Sequence, residues 1–266
     1  MKACFVTGTD TEIGKTLVSS ALLHLLSQSG ARTLGIKPIA SGAEEIEGRL
    51  HNEDVDALAR HSSLKLAPAT LTPYLFEPAA APHILADQAG IELDPALIKN
   101  MVQAATEHAD YAIVEGVGGF MLPLGQGRTG IDLAQALQLP VVLVVGLRLG
   151  ALNHALLTAQ AIRTSGLSVL GWVANLIDPE IPYAKENLQT LHDYLPGPCL
   201  GVIPRLSAAR LDDRIQQAAQ HLQSPWHNED QADSKRPKQS SCPRFPATPR
   251  PAASTALPPA QSARQD

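Results

Sequence analysis

A chain of 266 residues is long enough for one large α/β domain or two small ones, with a substantial buried core. Its 26 acidic residues outnumber its 21 Lys and Arg, for a net charge of -5 and a pI near 6.0, which leaves no basic footprint for nucleic acid and favours a small anionic ligand held by local lysines. No apolar run approaches the roughly 18 residues of a membrane span, and Met1-Lys2 leads straight into an apolar segment, so neither a membrane partner nor a signal peptide is expected, and the expected location is the cytoplasm.

Short β-branched runs alternate with helical stretches, the pattern of a doubly wound, mostly parallel α/β sheet with helices on both faces. The predicted strands are Cys4–Val6, Thr33–Ile36, Tyr111–Val114, Val141–Val145, Leu170–Ala174 and Leu200–Ile203. Such sheets bind ligands beyond the carboxyl ends of their strands, and each of these strands is followed there by residues suited to chemistry. The three cysteines, Cys4, Cys199 and Cys242, are odd in number and lack C-x-x-C spacing, so neither a disulfide framework nor a zinc site is expected. Cys4 and Cys199 read as small buried apolar residues.

The first strand runs into G-T-D-T-E-I-G-K-T, Gly8 to Thr16, and a periodic segment follows from Leu17 to Leu26. A glycine loop between strand and helix turns backbone N–H groups inward to cradle phosphate oxygens at the positive end of the helix. Lys15 is then placed for the outer phosphates and the Thr16 hydroxyl for magnesium. The spacing from Gly8 to Gly14 is one residue longer than the usual phosphate-loop form, which fits only when started at Thr9.

Lys37 follows the second strand in K-P-I-A-S-G, where Pro38 stops the ladder and Gly42 permits a tight turn. Ser41 in that turn reads either as a ligand contact or as a serine bonding its own backbone. Asp54, in H-N-E-D-V-D, reads first as an acidic helix start and second as a metal ligand. Glu115 follows the third strand and precedes Gly116, Val117, Gly118 and Gly119; a buried carboxylate there needs a cation. Magnesium held by Thr16, Asp54 and Glu115 together with nucleotide phosphates would supply it.

Farther along, G-L-R-L-G-A-L-N-H-A-L-L from Gly146 reads as strand, short loop and helix start, with free N–H groups from Gly150 to Asn153 for a carboxylate or phosphate. Asn175 closes another strand and offers both amide donor and acceptor to a purine edge, or to a turn. Near Ser224 the composition shifts to Pro, Ser, Ala, Gln and Arg. Residues 1–223 are therefore expected to form one domain and 224–266 a disordered tail.

Taken in order from Met1 to about Leu206, these segments resemble the dethiobiotin synthetase family, ATP-dependent carboxylating cyclases with a P-loop NTPase-like fold. The motifs are V-T-G-T-D-T-E-I-G-K-T, K-P-I-A-S-G, N-E-D, V-E-G-V-G-G, the P-V-V-L-V-V-G-L-R-L-G-A-L-N-H run, G-W-V-A-N and L-G-V-I-P. The extended first loop is itself a trait of that family. The resemblance implies that Glu12, Ile13, Gly14, Lys15, Thr16 and Leu17 hold ATP phosphates, with Asp54, Glu115, Gly116, Val117 and Gly118 beside them and Thr16, Asp54 and Glu115 on Mg2+. It implies that Lys37 is catalytic together with Lys15, and that Asn175, Leu176, Pro204, Arg205 and Leu206 hold adenine. Thr11, Ser41 and the Glu115–Gly118 loop would line the diamine and phosphate site, while Gly150, Ala151, Leu152 and Asn153 would bind the substrate carboxylate across a homodimer. ATP, CO2 and 7,8-diaminopelargonate are the implied small-molecule substrates.

Val117 and Phe120 stand where the family more often has Ala and Trp, Leu176 replaces a frequent polar residue, and Arg148 replaces a common lysine. Two other classes share parts of the pattern. A nucleotide-switch ATPase of the chromosome-partitioning type typically carries a further lysine early in the loop, where this chain has Gly8-Thr9-Asp10. A cobyrinate-type amide synthetase wants a glutaminase domain after the sheet, which residues 224–266 cannot form.

Overall fold

The computed structural model describes residues 1–226. Six parallel strands form the central sheet, in the order Cys199–Ile203, Val169–Leu176, Val141–Leu147, Lys2–Gly8, Tyr111–Gly119, Thr33–Ile36. All six predicted strands are present, and four of them run farther toward their carboxyl ends than their apolar runs indicate. The third extends through Glu115 and the glycines to Gly119, and its register against the first strand shifts, with Val6 opposite Glu115 and Gly8 opposite Gly119. That irregularity at the ends of two central strands places Glu115 beside the phosphate loop.

Side-chain alternation along the strands feeds two separate cores. Phe5, Val114, Leu143, Val145 and Trp172 face the helices Pro95–Ala105, Gly130–Leu137 and Ala151–Thr164. Cys4, Val6, Ile113, Val142, Val144 and Val173 face the helices Lys15–Ser27, Glu53–His61 and Leu211–Ala219. A sheet covered on both faces has no solvated side, which is why its strands read as continuous apolar runs. Cys4 lies wholly within the second core, and burial pushes its thiol up to about 12, so it is an inert packing residue. Cys199 is only partly buried, and Cys242 lies outside the described residues.

Pro38 ends the second strand as its chemistry requires, and the chain then builds small accessory pairs. Ile39–Ser41 runs parallel to Tyr74–Phe76, and Glu44–Ile46 pairs antiparallel with Arg49–His51. None of these has an apolar run long enough to announce itself in sequence. The described chain continues three residues past the expected boundary at Gln223. Trp226, assigned from composition to the tail, is 3% exposed and stacks on Tyr111 with ring centroids 5.1 Å apart. The rest of the expected tail, 227–266, lies outside the described residues. Among the described residues no helix is long and apolar enough to cross a membrane.

Candidate active site

The phosphate loop is built by its glycine. Gly14 caps the helix Lys15–Ser27 at φ +90°, a backbone conformation costly to residues with a Cβ. No side chain caps this helix start, so its free N–H groups stay available to an anion. Beneath the loop, Ile13 is buried and its carbonyl accepts a hydrogen bond from Asn175 Nδ2 at 2.9 Å. Asn175 thus ties the fifth strand to the loop with one of the donors expected to face a base. Lys15 Nζ donates to the Asp10 carbonyl at 2.9 Å, and the Asp10 side chain is ion-paired with Arg148. Burial brings the Lys15 ammonium down to about 8, against the pull of Glu115.

Beside the loop, side chains from four elements converge. Lys37, directly after the strand Thr33–Ile36, is 4% exposed and its Nζ lies 2.7 Å from both Asp54 Oδ2 and Glu115 Oε1. Thr16 Oγ1, in the first helical turn, donates to the same Glu115 oxygen at 2.7 Å. Burial alone would lower the Lys37 ammonium, but the Glu115 and Asp54 carboxylates outweigh it and hold the group above its ordinary value. Burial would raise the Asp54 carboxyl; Lys37, with help from Thr16 and Lys15, holds it below the usual range instead.

Capping is not Asp54's work. Asn52 caps the helix Glu53–His61, its Oδ1 accepting from the Val55 N–H at 3.3 Å, while its Nδ2 donates to the carbonyls of Ser41 and Gly42. One side chain therefore frees Asp54 to face the loop and fastens K-P-I-A-S-G against the same helix. Glu115 is 0% exposed, and its Oε2 has no hydrogen-bond partner among the described residues.

These groups open on a cleft of about 640 Å³. Thr11, Glu12, Gly14, Lys15, Thr16 and Leu17 line it on the loop side, Lys37, Ser41 and Asp54 beside them, Val117 and Gly118 across, and Asn175, Leu176, Pro204, Arg205 and Leu206 at the far end. Ile13, Glu115 and Gly116 lie behind this lining, with Gly116 closed against the Phe5 ring, which a Cβ would approach to 2.7 Å. Gly150, Leu149 and Asn153 are exposed, and the turn from Gly150 to Asn153 does not line the cleft of its own chain. Glu53, Ile177, Leu211 and Arg214 line the cleft without having been expected there. The helix supplying the last two follows the Pro204 loop, and the spacing of Leu211, Ile215, Ala218 and Ala219 was the available signal.

An all-parallel doubly wound sheet, a glycine-capped anion loop after its first strand, and lysines, carboxylates and a threonine gathered at that loop define a P-loop nucleotide-binding protein. Residues 2–210 match the protein family described as AAA domain. The chain is 51% identical over 209 residues to the ATP-dependent dethiobiotin synthetase BioD of Janthinobacterium sp. (strain Marseille), covering 77% of this chain and 89% of that protein. It is likewise 51% identical over 211 residues to the BioD of Pseudomonas paraeruginosa (strain DSM 24068 / PA7), with 79% and 92% covered. The chain belongs to the ATP-dependent dethiobiotin synthetase family.

Solved structures of the MinC:MinD cell division complex of Aquifex aeolicus (TM-score 0.53, 15% identity, 90% of this chain and 99% of that one) and a ParA family ATPase of Chlorobium tepidum TLS (TM-score 0.50, 14% identity, 86% and 94%) share its fold. At that identity the likeness extends to architecture alone.

Proposed function

We propose that this chain makes dethiobiotin from 7,8-diaminopelargonate, CO2 and ATP in biotin biosynthesis, releasing ADP and phosphate. The observation that carries the reading is the convergence of Lys37, Asp54, Glu115 and Thr16 within hydrogen-bond reach of one another beside the loop. One amine of the diamine takes up CO2 as a carbamate. A carbamate oxygen attacks the γ-phosphorus of ATP and ADP departs; the second amine then attacks the carbamoyl carbon, closing the ureido ring and expelling phosphate. The first transfer brings two anions together. Lys15, at the head of the helix, and Lys37, at the strand end, supply the positive charge that offsets their repulsion, and this preorganised charge is the main work of phosphoryl transfer. Neither step calls for a serine or cysteine nucleophile.

The donor set fits Mg2+. The unpartnered Oε2 of buried Glu115 has the hard oxygen chemistry that a divalent ion satisfies, and Thr16 and Asp54 stand beside it. Thr16, Asp54 and Glu115 would hold the ion, and it would neutralise charge on the phosphates. Asp54→Asn and Glu115→Gln each exchange a charged ligand oxygen for a neutral amide. Each is expected to raise the Mg2+ concentration for half-maximal turnover about tenfold or more. Unchanged Mg2+ titrations in both variants would remove the metal from this site.

The turn at Gly150 to Asn153, with Gly150 and Asn153 exposed, fits a homodimer in which it serves the neighbouring subunit's cleft, its N–H groups binding the substrate carboxylate. Mixing inactive Lys37→Ala and inactive Asn153→Ala proteins, with subunit exchange verified, is expected to restore roughly a quarter of wild-type activity, because half of randomly assorted dimers carry one intact site of two. No recovery would place both residues in the site of one chain. The reaction itself is tested with carbon-13 bicarbonate, which should appear as one heavy carbon in a product of dethiobiotin mass; an unlabelled or absent product would overturn the assignment. A cytoplasmic location accords with this chemistry.

A further inference from the structure

The helix Leu211–Ala219 brings to the cleft a charged side chain that no other described residue answers. Arg214 stands one turn beyond Leu211, so both lie on the face that lines the cleft. Its Nε is shielded from solvent without a hydrogen-bond partner, and among the described residues nothing forms an ion pair with its guanidinium. Four other side-chain donors of the cleft already have partners. Arg205 Nη1 donates to the Ile177 carbonyl at 3.3 Å, Asn175 to Ile13, Lys15 to Asp10, and Lys37 to the two carboxylates. Asp212, the carboxylate two residues before Arg214, is taken by Arg60 Nε at 3.1 Å and by His61 Nε2 at 3.4 Å.

A guanidinium keeps its charge at all working pH and carries its donors in a fixed fork. Shielding one of those donors without a partner destabilises the fold, and such a cost is commonly retained where a ligand supplies the missing acceptor. The helix also packs along the helix that begins at Lys15, which holds Arg214 at the cleft.

We propose that Arg214 is a nucleotide-binding residue, its guanidinium donating to an acceptor atom of the bound nucleotide. This rests on the ATP reading above and adds to it a contact from a helix to which that reading assigns nothing. The test uses the full-length protein and its Arg214→Ala and Arg214→Gln variants, with ADP affinity measured calorimetrically and melting temperature measured with and without ADP. Loss of a charge-assisted hydrogen bond is expected to weaken ADP binding about tenfold or more in Arg214→Ala and to shrink the ADP-induced rise in melting temperature. Arg214→Gln, which keeps neutral donors of shorter reach, should fall between.

Without nucleotide, the melting temperature of Arg214→Ala should equal or exceed the wild-type value, because an unpaired shielded donor has been removed. Unchanged ADP affinity in Arg214→Ala would overturn the proposal. So would a nucleotide-free melting temperature several degrees lower, which would mark a structural role. If the wild-type protein itself failed to bind ADP, the ATP reading would fall first, and that result is distinct from either of these.

Discussion

Lys37→Ala is expected to lower turnover by about a hundredfold or more while ADP affinity stays within a few-fold of wild type. Lys37 is bonded to two carboxylates that lie outside the glycine loop, so its loss should remove charge from one end of the cleft and leave the loop standing. A second consequence follows from burial. Glu115 is fully enclosed, and removing its ammonium partner leaves a buried charge with Thr16 as its hydrogen-bond donor and Lys15 as the nearby cation, and breaking a buried pair typically costs about 3–5 kcal/mol. The variant should therefore melt below wild type without nucleotide, and activity must be read at a temperature where it is folded. Addition of Mg2+ and ADP should restore part of that stability if the proposed divalent ion occupies this site, because it would supply the missing charge. Near-normal turnover in folded Lys37→Ala would sink the catalytic role.

Gly14→Ala should abolish useful nucleotide binding, with ADP affinity down about a hundredfold. An added Cβ would lie 2.3 Å from Asn175 Nδ2, so the amide must leave, and the Ile13 carbonyl loses the donor that holds the loop closed. The residue would also sit at φ +90°, which alone costs roughly 1–2 kcal/mol for a side chain. Gly150→Ala provides the control. It has a comparable φ of +90°, but nothing lies within 4 Å of its added Cβ, so it should carry the backbone strain without damage to ADP binding. Calorimetric ADP titration of the two variants separates loop geometry from simple strain. Equal affinities would mean that the Gly14 loop does not hold the phosphates.

The architecture could be read in the chain because strands buried on both faces must be apolar throughout. Val141–Val145 is such a run, and its strand continues as Val141–Leu147 with every residue buried. The phosphate loop was legible for a different reason: glycine, lysine and threonine at that spacing carry their own backbone requirement. Strand ends were less legible where function overrides pattern. Glu115 reads as the end of a strand because a charged residue rarely lies inside one, yet it belongs to the ladder and is tolerated there by Lys37 and Thr16.

The role of Asn52 escaped notice because Asp54, two residues on, also has a capping side chain, and only the fold shows which oxygen meets the Val55 N–H. Arg214 belongs to no motif of the chain, and only the packing of its helix against the first places it in the cleft. Trp226 lies beyond the composition break, where a single large apolar residue cannot signal burial without knowledge of the Tyr111 ring it covers.

The central claim, that ATP is consumed only to join CO2 to a diamine, is tested most directly by ADP release from the purified protein. The measurement is made in Mg2+ and bicarbonate, with and without 7,8-diaminopelargonate, while dethiobiotin is counted in the same samples. ADP release should be negligible without the diamine and, with it, one ADP should appear for each dethiobiotin formed. ADP release at the same rate in both samples, with no dethiobiotin, would contradict the claim and would mark the protein as a nucleotide switch.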